Sequence, residues 1–347
     1  MTLMDLAEAR RVKDQLHGFA RELAERYGAV TASAVGTGAE EGATPSDAVR
    51  APTLSLGLAP AEGGGYVVAV RYRLGVPAAR AVVRKVTAEA GEAADVRRTG
   101  RIRTLSDARP RPPVVSARAL GETGRSRPLR PGVSVANVAV TAGTLGAFVT
   151  DDAGPYVLSN WHVLAGSRDA AAGDVVVQPG PADGGTAPGD RIGTLARWAP
   201  LAAGEHHRVD AALALLDDGV GVGVDATYPV GRVTTTAEAQ GGEAVAKVGR
   251  TTSLTRGRVS AIELDDVVVG YGDELGVLSF DGQIEVEATG PGPFSRGGDS
   301  GALVYREDGV ALGLLFAGSE TGGPDGSGLT YVNPIDAVLE ALGVTLA

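Results

Sequence analysis

Cysteine is absent from this chain of 347 residues, so neither a disulfide nor a thiolate-bound metal can form. Aromatic residues make up only 4%, and there are just four histidines, His17, His162, His206 and His207. A surplus of basic charge is also missing: 32 Lys and Arg face 42 Asp and Glu, a net charge of −10. Sequence-independent nucleic-acid binding needs a basic surface, so no nucleic-acid partner is expected. No uncharged apolar run is long enough to span a bilayer, so no membrane is expected either. An export signal needs a continuous apolar core, and the start of this chain carries Asp5, Glu8, Arg10, Arg11, Lys13 and Asp14 instead. That start and the missing cysteine point to the cytoplasm.

What the chain has in quantity is glycine, 51 residues of it, and a hydrophobic fraction of 44% spread over short Val-rich runs. That pattern predicts a mainly β body. Ahead of it, Leu16, Phe19, Ala20, Leu23 and Tyr27 share one face of a helix predicted over 3–27, with Gly28 placed to end it. Strands are predicted at 53–58 and 66–74, where Val68, Val70, Tyr72 and Leu74 alternate with Ala69, Arg71 and Arg73. A helix over 77–90 and a strand over 94–103 complete an α+β module of residues 1–105. Residues 106–130 are rich in Arg and Pro and read as a solvated, extended tether. From 131 to 347, strands are predicted at 145–150, 155–160, 174–178, 209–216, 244–248, 257–264, 276–287, 302–305 and 311–317. A final helix over 334–342 is expected to be capped by Asn333, to start on Pro334 and to stop at Gly343.

The chemistry concentrates in Ser295-Arg296-Gly297-Gly298-Asp299-Ser300-Gly301-Ala302. Glycines let the backbone turn tightly there and aim the N–H groups of Gly298 and Ser300 at one point beside the Ser300 hydroxyl. A nucleophile next to a prebuilt oxyanion hole is what acyl transfer requires. A serine hydroxyl needs a base, and the base needs an orienting group. His162 ends the apolar run Tyr156-Val157-Leu158-Ser159-Asn160-Trp161, and Asp210 enters the apolar run Ala211-Ala212-Leu213-Ala214-Leu215-Leu216. An acid so close to a buried run is costly unless hydrogen-bonded, and an imidazole N–H is one such partner. His206 and His207 read as a solvated loop, and His17 as a packing or surface residue. No metal site and no cofactor are expected.

In the order His162, Asp210, Ser300, these strings resemble the motifs of the trypsin/chymotrypsin-like serine proteases over roughly residues 131–347. A closer resemblance is to intracellular, cysteine-free bacterial members related to the plant Narrow leaf proteases. It is carried by Pro131-Gly132-Val133-Ser134, Thr141 to Gly146, Gln178 to Gly185, and Gly249-Arg250-Thr251-Thr252. The resemblance implies a two-β-barrel fold, with barrels at about 131–225 and 226–333 and a closing C-terminal helix. It implies that Phe294 lies at the floor of the primary pocket and that Phe316, Ala317 and Gly318 line the path of an extended substrate. In relatives activated by cutting, the acid before the nucleophile binds a new N-terminus. No such start follows Arg130 here, so Asp299 is expected to find an internal partner such as Arg296 or a backbone amide.

These readings converge on a serine endopeptidase acting on protein or peptide substrates. The module of residues 1–105 is expected to control access or to receive a regulatory protein partner, and residues 131–347 to fold without it. A homo-oligomer is left open. Two alternatives stand beside this: a catalytically silent protein that uses the same fold for binding or assembly, and a protease that acts once on its own linker.

Overall fold

The computed structural model describes residues 4–26, 53–73, 77–90, 94–104, 119–223 and 228–347. Tyr27, Gly28, Leu74 and most of the Arg/Pro-rich segment lie outside them. The fold is mainly β, with two barrels, an N-terminal α+β region and a C-terminal helix.

The N-terminal region runs α1 (Leu6–Arg26), β1 (Thr53–Pro60), β2 (Tyr66–Arg73), α2 (Pro77–Ala90), β3 (Ala94–Arg98) and β4 (Ile102–Thr104). β1 and β2 pair antiparallel from Thr53↔Arg73 to Pro60↔Tyr66, and β3 adds parallel to β2. The strand predicted over 94–103 is thus two strands, broken where Gly100 adopts a φ of 69°.

The first barrel is built from β5 (Ser134–Asn137), β6 (Gly143–Thr144), β7 (Ala147–Asp151), β8 (Gly154–Ser159), β9 (Val175–Val177), β10 (Arg191–Trp198) and β12 (Ala212–Leu216). These strands form one run ordered β7-β8-β12-β10-β9-β5-β6, left open between its ends. A short helix, α3 (Trp161–Leu164), follows β8, and β11 (His206–His207) leaves the barrel to pair elsewhere.

The second barrel follows a short strand β13 (Thr235–Thr236). It comprises β14 (Ala244–Gly249), β15 (Ser253–Asp265), β18 (Gln283–Ala288), β19 (Leu303–Arg306), β20 (Val310–Gly322) and β21 (Gly328–Pro334). Its pairings close into a ring, β14-β15-β18-β21-β20-β19 and back to β14. Closure removes the unpaired edges that an open sheet presents. Between β15 and β18 lie β16 (Val267–Gly270), α4 (Gly272–Leu275) and β17 (Val277–Phe280). The single strand predicted over 276–287 is therefore two, turned at Asp281-Gly282, where Gly282 has a φ of 70°. The chain ends with α5 (Ile335–Leu342) and β22 (Thr345–Leu346). Gly343 ends the helix in the left-handed conformation, its N–H on the carbonyls of Glu340 and Leu339. Asn333 does not cap it: the residue belongs to β21, and Pro334 takes the cap position.

The N-terminal region is continuous with the second barrel. β1 pairs with β15 through Leu56↔Asp265 and Leu58↔Ile262, and one apolar cluster joins Leu16, Leu23, Leu58 and Val70 to Val259, Ile262, Val286 and Leu315. Arg71, which alternates with Val68, Val70 and Tyr72, is buried because both faces of β2 are covered. Its guanidinium forks onto fully buried Glu285, Nε to Oε2 at 2.7 Å and Nη2 to Oε1 at 2.8 Å, and reaches Asp95 at 2.7 Å. Residues 1–104 thus supply the cation that Glu285 pairs with and cover part of the second barrel's apolar cluster. Residues 119–130 depart from the tether reading. Leu129 is fully buried and exchanges backbone hydrogen bonds with Gly221 and Gly223, and Arg127 binds the side chain of Gln178. Among the described residues no helix is long and apolar enough to cross a membrane.

His17 anchors α1 to the barrel through Nε2 and Asp266 Oδ2, 2.7 Å apart. This hydrogen bond, with the charges of Asp266 and Asp265 and against burial and Arg21, raises the His17 pKa above its ordinary 6.5. The pair's contribution is therefore full below about pH 6.5 and fades as pH rises through the raised value. For a partly exposed pair it amounts to under about 1 kcal/mol. Urea unfolding should show wild type more stable than His17→Asn at pH 6, with the difference gone by pH 9. A pH-independent difference would contradict this.

Candidate active site

Strand β8 carries Tyr156 to Ser159 into the interior, and the buried turn of α3 then presents His162. β12 lies beside β8 in the register Ala212↔Ser159, which brings Asp210 next to the start of α3. Asn160 Nδ2 donates to the Asp210 carbonyl at 2.7 Å and holds the two segments together. His162 Nδ1 is hydrogen-bonded to Asp210 Oδ2, and the His162 backbone N–H donates to Oδ1 at 3.3 Å. The Asp210 carboxylate is fully buried. A third donor reaches it: the Tyr271 hydroxyl, 2.6 Å from Oδ2. Burial first, and then the Asp210 charge, push the Tyr271 phenol well above its ordinary range, so it remains a donor. Its ring stands edge-on to His162, centroids 6.0 Å apart. The Asp210 backbone N–H donates to Asn333 Oδ1 at 2.9 Å, and Asn333 Nδ2 donates to Gln283 Oε1 at 2.7 Å. Asn333 is thus committed to the site, which is why it does not cap α5.

The Ser300 loop is fastened to the first barrel through Thr144. The Thr144 N–H donates to the Ser300 carbonyl at 2.7 Å, and its hydroxyl donates to the Gly298 carbonyl at 2.8 Å. Ser159, three residues before His162, donates its hydroxyl to the Thr144 carbonyl at 2.8 Å. One residue therefore ties the histidine's strand to the serine's loop. Gly143 sits between them: a Cβ there would lie 2.4 Å from Val163 and 3.1 Å from the Ser300 carbonyl. Gly298 adopts a φ of 95°, and a Cβ on it would strike Thr251 Oγ1 at 2.4 Å and Arg250 Nη1 at 2.6 Å. Among the described residues, the N–H groups of Gly298 and Ser300 donate to no protein acceptor. Ser300 Oγ and His162 Nε2 are both buried and without a hydrogen-bond partner. They are not bonded to each other in this structure.

Asp299, also fully buried, is held from several sides. Oδ1 accepts the N–H groups of Thr251 and Thr252 at 2.9 and 3.1 Å. Oδ2 accepts the Thr252 hydroxyl at 2.7 Å and the Arg296 N–H at 2.9 Å. The fully buried ammonium of Lys247 lies 3.2 Å from Oδ2. Burial lowers the Lys247 pKa, and the Asp299 charge opposes that. The expected backbone amides are there, Arg296's among them, but the cation is Lys247.

Phe294 is buried in the apolar cluster of the second barrel beside Leu315, Ala302 and Val259. Phe316 and Ala317 are buried, and Gly318 is half-buried. His206 and His207 do not form a loop; they make β11, parallel to β17, and point to opposite sides. His207 is buried, its ring nitrogen 2.8 Å from the Ala202 carbonyl, while His206 faces Asp281 at 2.7 Å. Among the described residues, His206, Asp266 and Asp281 offer ligand atoms within 4.8 Å of one another, and these groups are engaged in His–Asp pairing. Sequence reasoning passed over Tyr271 and Lys247, and assigned Asn333 to a helix cap. The one available signal was a lysine inside the apolar run Ala244-Val245-Ala246-Lys247-Val248.

No protein-family model matches the chain, and no curated protein matches it. Solved structures similar to it include proteases. One is a glutamic-acid-specific serine protease described as using a histidine triad in substrate binding; it is 21% identical, aligned over 63% of this chain and 100% of that one, with a TM-score of 0.43. Thermobifida fusca protease A is 21% identical over 63% of this chain and 97% of its own, with a TM-score of 0.44. Nocardiopsis protease is 18% identical over 62% and 97%, also with a TM-score of 0.44.

Proposed function

We propose that this chain is a serine endopeptidase in which Ser300 attacks the peptide carbonyl and His162 serves as base and then acid. The observation that carries the reading is the state of His162. Its Nδ1 is held by the buried Asp210 carboxylate, which leaves Nε2 buried and unpartnered; the Ser300 hydroxyl is buried and unpartnered too, and Thr144 ties its loop to the strand that leads to His162. Asp210 fixes the tautomer and stabilises the imidazolium that forms as Ser300 loses its proton. The proton then passes from Nε2 to the leaving amine, and water repeats the sequence on the acyl-enzyme. The free N–H groups of Gly298 and Ser300 receive the oxyanion. No metal or cofactor enters this scheme. The absence of cysteine fits a cytoplasmic protease. Phe294 in place of a carboxylate fits an apolar acyl-side residue of small to medium size, with moderate selectivity.

The test is hydrolysis of a p-nitrophenyl ester and a mixed peptide library in EDTA. Turnover with cuts after apolar residues is expected. Activity that needs an added divalent ion would contradict the mechanism, and dominant cuts after Arg or Lys would contradict the pocket. Tyr271 acts as a positioning residue in this scheme. Its hydrogen bond to a charged carboxylate is worth about 1.5–3 kcal/mol, so Tyr271→Phe should lower kcat about ten- to a hundredfold with KM little changed. A kcat left unchanged by the substitution would reduce Tyr271 to a packing role.

A further inference from the structure

The edge of β20 next to the nucleophile is already filled by the chain itself. β21 lines one side of β20 throughout, from Gly313↔Pro334 to Gly318↔Thr330. On the opposite side three segments follow one another end to end. β19 takes Ala311 to Leu314, the Ser300 loop takes Leu315, and β4 takes Ala317 to Ser319. The middle contact is a reciprocal pair: the Gly301 N–H donates to the Leu315 carbonyl at 2.8 Å, and the Leu315 N–H to the Ala302 carbonyl at 3.0 Å. β4 therefore begins its pairing two residues past the point where the nucleophile's loop is attached.

Its direction matters. β4 is antiparallel to β20, with Thr104 opposite Ala317, Arg103 opposite Gly318 and Ile102 opposite Ser319. The chain thus runs toward Ser300 from its N-terminal side. A peptide whose carbonyl is to be attacked must approach the same way, its acyl-side residues on that edge. The register continues outward, where the Glu320 N–H donates to the Arg101 carbonyl at 3.0 Å. Hydrogen-bonded pairs alternate in an antiparallel ladder, so the next exchange falls on Arg103 and Gly318. β4 is held on its far side too, parallel to β16 through Val269↔Ile102 and Gly270↔Arg103. Ile102 is buried in the apolar cluster that includes Tyr271, Leu278, Phe280 and Phe316. This groove, with a strand on each side and an apolar seat for one side chain, is a receptor for an extended peptide.

Resting on the protease reading above, we propose that Ile102–Thr104 is a built-in occupant of the acyl-side substrate groove. It stands where an extended peptide substrate would lie and excludes it until β4 is displaced. A competing segment in cis lowers the apparent affinity for an outside peptide by the fraction of molecules with the groove open.

The test uses the full chain and its Arg103→Pro variant, which loses the N–H facing Gly318. For a fluorogenic peptide with four acyl-side residues, kcat/KM should rise at least about tenfold, while that for p-nitrophenyl acetate, too small to use the groove, should change less than about threefold. No rise with the peptide while the ester is hydrolysed, or an equal rise with both, overturns the proposal. If neither chain hydrolyses the ester, the protease reading has failed, and occupancy is read by binding instead. A fluorescein-labelled peptide Arg-Thr-Gly-Arg-Ile-Arg-Thr, the sequence of residues 98–104, should then bind the variant at least about tenfold more tightly than wild type. Equal binding overturns occupancy as well. Ile102→Asp, which cannot keep its side chain in the apolar seat, repeats both readings if Arg103→Pro does not fold.

Discussion

Ser300→Ala should lower hydrolysis of an activated ester by about 10⁴–10⁶, while the protein stays folded. Ser300 Oγ has no hydrogen-bond partner, so the substitution leaves no new orphan behind and removes only the attacking atom. His162→Ala should cost about as much, because a serine hydroxyl without its base is almost unreactive. The two changes together should cost little more than either, since the groups act as one unit. Initial rates with each purified protein, alongside circular dichroism, check this. Full turnover by Ser300→Ala would place the nucleophile elsewhere, and additive losses would mean that the two residues do not share a step.

The second large effect is expected at Lys247, which touches the residue before Ser300. Asp299 and Lys247 are both fully buried, 3.2 Å apart. Lys247→Met removes the cation and leaves a carboxylate with hydrogen bonds but no counter-charge, at a cost of about 3–5 kcal/mol. Asp299 sits between the two residues whose N–H groups form the proposed oxyanion site, and it also holds the Arg296 N–H at 2.9 Å. When it relaxes, Gly298 and Ser300 lose their aim. Loss of an oxyanion donor costs about 10²–10³ in kcat, and a fall of that size is expected here. The readouts are the urea midpoint and kcat for the ester. Adding Asp299→Asn to Lys247→Met should restore part of the stability, because the charge that lacks a partner is gone. A single variant as stable and as active as wild type would remove Lys247 from the account.

The difference between what the sequence revealed and what it hid follows from range. Alternation and turn residues are local, and they located most of the barrel strands to within a few residues. His162, Asp210 and Ser300 stand out because each ends or opens a short string with its own chemistry. Tyr271 reaches Asp210 from 61 residues away as a single side chain between two glycines, and nothing nearby announces it. The burial of Arg71 was hidden for a related reason. Alternation in Tyr66–Arg73 marks an outward face only if one face meets water, and here the second face is covered by other parts of the fold. The Arg/Pro composition of 106–130 suggested a solvated tether, but composition does not register that Leu129 finds a seat against Gly221 and Gly223. Asn333 carries a genuine capping signal and is claimed by a stronger partner, the Asp210 N–H at 2.9 Å.

The central claim is that Ser300 is a nucleophile activated within this fold. Fluorophosphonates are small, react with an activated serine and need no particular substrate, so the adduct maps the nucleophile directly. Treating the full chain with such a reagent and locating the adduct by tandem mass spectrometry should place one label on Ser300, and His162→Ala should abolish it. A folded protein that takes no label at Ser300, or takes it equally with His162 removed, would contradict the account.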